Sequence, residues 1–267
     1  MKRRKLTPAT IPTVFGLDVT SSTISIAKIT SEMDRPGCRV VLSPSPSRSS
    51  HSVATSLHRL NSTTDEVLDV VLRDGVRPHL VVMGKQSWGL IGSDPSAARR
   101  IGQWWDIAQA LHRFKVPTAE VALASAAVWA MGSAPKLSLE GLQVIRDNLI
   151  SQWDGLDEAM NSTNGTYRPS AVLFAAFGAM TIGLPTVYAP TEERVRALTM
   201  RRNYKTDDPK TARQKLTPGW VQNMTTQFPI AVRPVPSTPS EWHMRSAKLG
   251  VAQPEPEFTT DTEDGAA

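Results

Sequence analysis

The length and composition of the chain limit what it can be. Its 267 residues favour one core domain with extensions, and a hydrophobic fraction of 40% is enough for a buried core. A single cysteine, Cys38, excludes an internal disulfide and a cysteine zinc site. The sequence contains no apolar run long enough to cross a bilayer and no apolar segment after its basic start. We therefore expect a cytoplasmic protein with no membrane partner.

The charge is unevenly distributed. Thirty lysines and arginines stand against 25 acids, which gives a formal net charge of +5. Residues 254–267 hold five of those acids and no base, so residues 1–253 carry thirty bases against twenty acids, or +10. A basic body predicts contact with a polyanion, with the acidic end as an internal competitor or a solubilising segment. Patterning for solubility alone is the alternative explanation.

The first predicted element is a β-hairpin. Residues 13–18 form an apolar run that ends in Asp18, residues 20–23 form a polar turn, and residues 24–29 alternate as in a half-buried strand. Asp18 is therefore expected near the end of the first strand.

The later elements alternate between helix and strand. After a Pro- and Ser-rich loop over 43–52, the apolar spacing predicts a helix over 53–73 interrupted near 61–65, a strand over 78–83, a helix over 94–114, a strand over 116–123, and helices over 138–153 and 170–182. Two strands followed by alternating helices and strands indicate a mixed α/β sheet with helices on its faces.

The composition changes after residue 190. Residues 192–215 hold eight lysines and arginines against four acids. We expect a partly helical basic extension over 191–232 and a disordered acidic tail over 233–267. In a helix, four bases of the extension would fall near one face, where they suit phosphate contact: Arg194, Arg201, Arg202 and Lys205. A solvated charged helix is the alternative.

Four segments carry a family resemblance. They are Val14-Phe-Gly-Leu-Asp18, His79-Leu-Val-Val-Met-Gly84-Lys-Gln-Ser-Trp-Gly89, the stretch from Gly102-Gln-Trp-Trp105 to Val121, and the stretch from Ala171 to Pro185. In order and spacing they resemble RNase H-like nucleases, especially RuvC-type Holliday-junction resolvases and their actinobacterial and phage relatives. The resemblance covers roughly residues 13–190, after a basic arm over 1–12. It implies an RNase H-like mixed five-stranded sheet flanked by helices.

The catalytic positions of that family are mostly changed in this chain. The family cuts DNA with carboxylates that hold two divalent metal ions, and Mg²⁺ requires oxygen ligands. Only Asp18 is kept, whereas Gly84, Tyr167 and Ser170 stand at the other three acidic positions. The resemblance therefore implies a catalytically depleted, RuvC-like protein that binds branched or duplex DNA without a metal cofactor and without cutting. Lys85 would place a positive charge where the metal ions would lie.

Two alternatives stay open. In the first, the chain is an active Mg²⁺-dependent endonuclease in which displaced acids join Asp18, such as Asp94, Asp154 or Asp157. In the second, it is a scaffold protein that does not bind DNA. Because the family resembled is homodimeric, the resemblance also implies a homodimer or a heterodimer with an active relative.

The adjacent tryptophans Trp104 and Trp105 are a weaker signal. Aromatic side chains stack on bases in single-strand grooves. Adjacent helical residues point about 100° apart, so at least one of the two belongs to the core, and we expect both to pack there.

Overall fold

In a computed structural model of the chain, the described residues are 6–44, 52–86, 97–136, 138–163, 166–198, 200–202, 220–222 and 228–250. The strands are β1 Thr7–Pro8, β2 Thr13–Val19, β3 Thr23–Thr30, β4 Gly37–Leu42, β5 Val76–Arg77, β6 Leu80–Gly84, β7 Thr118–Val121, β8 Met200–Arg202 and β9 Trp220–Gln222. The helices are α1 Val53–Val71, α2 Ala97–Arg113, α3 Leu123–Met131, α4 Leu139–Gln152, α5 Leu156–Asn161, α6 Ser170–Ile182, α7 Glu192–Ala197 and α8 Pro239–Lys248. No helix of this described part is long and apolar enough to cross a membrane.

Five strands form the central sheet in the order β4-β3-β2-β6-β7. β2 and β4 run antiparallel to β3, whereas β2, β6 and β7 run parallel to one another. Helices α1 and α2 cover one face and α6 covers the other. This arrangement confirms the predicted α/β fold class, a mixed five-stranded sheet flanked by helices.

The strand patterns account for the sheet's two cores. Along β2, Val14 packs on the α6 side, whereas Phe15, Leu17 and Val19 pack on the α1–α2 side. Every residue of β6 is buried, as expected for a parallel strand covered on both faces. Position 18 continues the Val14 side of β2, so alternation directs Asp18 toward α6.

Helix α6 approaches the sheet closely, and two glycines allow it to do so. A Cβ atom at Gly16 would lie 2.1 Å from the carbonyl oxygen of Ala171. A Cβ atom at Gly178 would lie 2.6 Å from Val82 Cγ2 and 2.8 Å from Val14 Cγ1. All thirteen residues of α6 are buried. The beginning of α6 is therefore held directly against β2.

Several helices and strands differ from the sequence-based expectations. α1 is continuous from Val53 to Val71, so the predicted interruption near 61–65 is wrong. Strand β4 and helices α3 and α5 were not predicted individually. α7 ends at Ala197 and β8 pairs with β9, so the expected helical stripe through Arg194, Arg201 and Arg202 is wrong. Lys205 lies outside the described residues.

Residues 228–250 form a folded segment that includes α8, so the prediction of disorder is wrong for residues 233–250. In α8, Trp242 is 3% exposed and its Nε1 donates a hydrogen bond to the carbonyl oxygen of Met180, 2.9 Å away. Arg245 donates to the carbonyl oxygens of Val232 and Pro234, each over 2.7 Å. One buried tryptophan thus anchors a segment that lacks long apolar periodicity. Residues 251–267, which are 17 of the 35 residues of the predicted acidic tail, lie outside the described residues.

The close approach of α6 predicts that Gly16→Ala strongly destabilises the protein. The added methyl group meets a backbone carbonyl that cannot move alone, so we expect a loss of about 3 kcal/mol or more in unfolding free energy. Gly102→Ala in α2 is the matched control, because its Cβ would meet nothing within 4 Å. That change should leave stability equal or raise it by about 0.5–1 kcal/mol. Urea unfolding followed by circular dichroism measures both, and equal stability of the two variants would contradict this packing.

Candidate functional site

The carboxyl ends of β2, β6 and β7 open onto a cleft of about 1120 Å³. Leu17 pairs with Met83, and Gly84 pairs with Val121, so the three strands end side by side. Further parts of the cleft come from the β2–β3 turn, the first turn of α2, the start of α3, the α3–α4 connection and the residues before α6. In α/β sheets, ligands bind beyond the carboxyl ends of parallel strands. This cleft is therefore the candidate site.

Asp18 lies in the cleft, and its carboxylate already has partners within the chain. Arg168 Nε donates to Asp18 Oδ2 over 2.7 Å, and Ser170 Oγ donates to the same oxygen. The Asp18 side chain is 14% exposed and that of Arg168 35% exposed. The backbone N–H of Arg168 donates to Ser25 Oγ, 2.9 Å away, which fixes the arginine beside the strand. The negative charge of Asp18 is therefore compensated inside the protein.

Phe174 fills the space in front of Gly84. A Cβ atom at Gly84 would lie 2.7 Å from Phe174 Cε2 and 2.9 Å from Cζ. The carbonyl oxygen of Gly84 accepts a hydrogen bond from Trp104 Nε1 over 2.9 Å. An acidic side chain at position 84 would have to displace the Phe174 ring, so apolar packing closes this position.

Tyr167 and Ser170 take different places. Ser170 reaches Asp18, whereas the Tyr167 hydroxyl donates to the carbonyl oxygen of Ile26, 3.2 Å away in β3. Burial raises the pKa of the Tyr167 hydroxyl well above its usual value, and the neighbouring Cys38 adds to the shift. Tyr167 is thus a neutral core residue. Of the four positions to which the resemblance assigns acids, the structure brings Asp18, Gly84 and Ser170 together and leaves Tyr167 in the core.

Four cationic side chains line the cleft: Lys85, Arg100, Lys136 and Arg168. Among the described residues that line it, Asp18 is the only carboxylate. Arg100 Nε donates to Gln86 Oε1 over 2.9 Å. The Gln86 amide in turn reaches the carbonyl oxygens of Val19 and Gly84, at 3.4 and 3.5 Å. This chain of contacts connects Arg100 to the strand ends, and the cleft carries net positive charge.

The side chains of this cleft do not fit a pair of divalent metal ions. Within the described ranges, no three histidine, cysteine, aspartate or glutamate side chains come together as a metal site, and Mg²⁺ needs several oxygen ligands. Two of the displaced acids named in the enzyme alternative lie elsewhere: Asp157 accepts a hydrogen bond from Arg146, and Asp154 is exposed. The third, Asp94, lies outside the described residues.

The predicted phosphate-binding residues are not all in one place. Lys85 lines the cleft. Arg194 does not line it, since its guanidinium lies 5.3 Å from the centre of the Tyr188 ring and donates to the carbonyl oxygen of Ala189 over 3.3 Å. The side chains of Arg201 and Arg202, like all of Lys205, lie outside the described part of the chain.

Sequence reasoning missed Arg100, Lys136 and Arg168. Arg168 had a readable signal, because it stands between Tyr167 and Ser170, two positions to which the resemblance assigns acids. Arg100 lies in the first helical turn after a predicted strand end. No pattern marked Lys136, whose place depends on how α3 and α4 connect. The predicted pairing with a second copy or an active relative stays a prediction.

Comparison with known proteins gives matches among solved structures only. No protein-family model and no curated protein matches the chain. The structure of T. thermophilus RuvC in complex with a Holliday junction substrate matches with 16% identity and a TM-score of 0.42, covering 61% of this chain and 89% of that one. A second Thermus thermophilus RuvC structure matches with 17% identity and a TM-score of 0.40, covering 61% of this chain and 90% of that one. At such identities and scores the likeness concerns the fold and assigns no chemistry.

The contact between Asp18 and Arg168 predicts a measurable cost for Arg168→Ala. Removing the cation leaves a mostly buried carboxylate without its charge partner. Because Arg168 is about a third exposed, we expect about 1–2 kcal/mol of lost unfolding free energy, less than for a fully buried pair. Arg146→Ala is the control, since its partner Asp157 is 50% exposed, and its cost should stay below about 1 kcal/mol. Urea denaturation of both variants checks this, and an Arg168→Ala variant no less stable than the control would contradict it.

Proposed function

We propose that this chain binds nucleic acid through the cleft at Asp18 and does not cut it by the two-metal route. The observation that carries the proposal is the charge of the cleft, whose described lining holds four cations and one carboxylate. The cations are Lys85, Arg100, Lys136 and Arg168, and the carboxylate is that of Asp18, which is itself paired with Arg168. The same place in the fold therefore attracts phosphate rather than divalent metal ions.

The electrostatics of a concave site strengthen this preference. Charges of one sign in a cleft with low-dielectric walls focus the potential and raise the local concentration of the opposite ion. Arginine and lysine donate several hydrogen bonds to phosphate oxygens. Contacts of this kind position a nucleic acid without reading its bases, so we expect binding that is largely independent of sequence. The resemblance of residues 13–190 to RuvC-type resolvases makes branched and duplex DNA the first polyanions to test.

The absence of cutting belongs to the same proposal. Two-metal hydrolysis needs carboxylates that hold one ion beside the attacking water and another beside the leaving oxygen. Here Asp18 is engaged by Arg168 and Ser170, and the Phe174 ring closes position 84. The function proposed for the chain is therefore DNA binding without cleavage.

The proposal predicts that removing two cleft cations weakens DNA binding and reduces its salt dependence. We expect Arg100→Ala combined with Lys136→Ala to lower affinity roughly 10-fold at ~50 mM salt. The slope of log affinity against log salt should flatten by up to ~2 units, since each lost phosphate contact removes about 0.9. Fluorescence anisotropy with labelled duplex and four-way junction DNA measures both quantities.

The matched control removes the same amount of charge elsewhere. Arg73 and Lys248 are exposed and do not line the cleft, so Arg73→Ala combined with Lys248→Ala should bind like the wild type. Equal losses in both double variants would indicate a diffuse charge effect and contradict the cleft. If the wild type binds no DNA even at ~50 mM salt, where the polyelectrolyte term is large, the scaffold alternative replaces this proposal.

A further inference from the structure

A second, smaller pocket lies beside the cleft, at the edge of the sheet formed by β7. Its volume is about 390 Å³, within the usual range for small-molecule sites. It lies between α2, β7 and the chain that leads toward α8. Its lining is largely apolar and aromatic, with two charged members: Trp104, Trp105, Thr118, Ala119, Phe228, Pro229, Lys85 and Glu120.

The aromatic side chains of this pocket are held in fixed orientations. Trp104 is 6% exposed and packs edge to face against Trp105, with ring centres 5.0 Å apart. Phe228 stacks parallel to Phe177 of α6, with ring centres 6.2 Å apart. Trp105 itself is 48% exposed. The expectation that both tryptophans pack in the core is therefore correct for Trp104 and wrong for Trp105.

Lys85 connects the two spaces, because it lines both the cleft and this pocket. Its backbone N–H donates to the carbonyl oxygen of Val121 over 2.8 Å, which fixes the main chain at the end of β7. A polyanion whose phosphate lies near Lys85 would have its next group at the pocket opening. Glu120 supplies a half-buried carboxylate there, suited to accept hydrogen bonds from an amino group.

We propose that this pocket takes an unpaired nucleobase, stacked on Trp105, from a nucleic acid whose phosphates lie in the cleft. This inference rests on the proposed function and adds to it the kind of nucleic acid that binds. A base must be out of the duplex before a side chain can stack on its face. The protein therefore prefers single-stranded segments, as found at gaps, flaps or open junctions, over continuous duplex.

The test distinguishes the contribution of the bases to binding from that of the phosphates. Two single strands of equal length are compared, one of mixed sequence and one of abasic sugar-phosphate units, so that both carry the same backbone charge. Stacking of a base on an aromatic side chain adds to the binding free energy whatever the base. Trp105→Ala should therefore weaken binding of the mixed strand roughly 5- to 100-fold. Its affinity for the abasic strand should stay within about 2-fold of wild type, since phosphate contacts are unchanged.

Two further variants serve as controls. Trp105→Phe keeps an aromatic face and should retain most of the affinity for the mixed strand. Leu57→Ala is the control, because Leu57 is a similarly exposed apolar residue of α1, 52% exposed and outside both spaces. Thermal melts should show all three variants folded, since each changed side chain is half exposed.

The outcomes are distinguishable. If wild-type protein binds the two strands equally well, or Trp105→Ala weakens both equally, the base pocket is contradicted while phosphate binding in the cleft survives. If wild-type protein binds neither strand but still binds duplex or junction DNA at ~50 mM salt, the base pocket fails alone. If it binds none of these DNAs at that salt concentration, the proposed function fails and the base pocket fails with it.

Discussion

The close seating of α6 on β2 is the constraint on which the rest of the structure depends. Gly16 leaves no room for a Cβ atom against Ala171, and Gly178 leaves none against Val14 and Val82. With the helix in this position, Ser170 reaches Asp18, and the Phe174 ring covers Gly84. The packing therefore determines the chemistry available in the cleft.

The cleft and the pocket beside it share Lys85, so that a positively charged surface adjoins an aromatic one. Asp18, the one acid among the described residues that line the cleft, is compensated by Arg168, and the remaining cations face a cavity of about 1120 Å³. The net positive charge of these side chains attracts phosphate and repels a divalent cation. Lys85 lies at the boundary between the charged cleft and the aromatic pocket of Trp105. An unpaired strand offers both chemistries, because its charged phosphates alternate with flat bases.

The sequence predicted the elements that have strong patterns of their own. The β2–β3 hairpin follows from alternation, β6 from its continuous apolar run, and α6 from residues 170–182, whose predicted bounds agree with the structure. α8 was missed because only Trp242 and Ser246 of this short helix are buried, which leaves a weak apolar stripe. Its start did carry a signal, since Thr238 caps the helix, Pro239 follows and Glu241 stands three residues on. Arg168 was missed and Trp105 was misjudged for another reason. The position of Arg168 between Tyr167 and Ser170 was readable, but the partner of its guanidinium and the exposure of Trp105 depend on which side chains lie opposite in space.

The central claim is that the cleft binds nucleic acid without carboxylate-held metal ions. The most direct measurement follows a labelled four-way junction, in binding and in cleavage, with EDTA, Mg²⁺ or Mn²⁺ present, for wild-type protein and Asp18→Asn. The account predicts that the junction binds in EDTA and stays intact under every metal condition with both proteins. Metal-dependent cleavage by the wild type that disappears in Asp18→Asn would contradict it and establish the chain as an active nuclease.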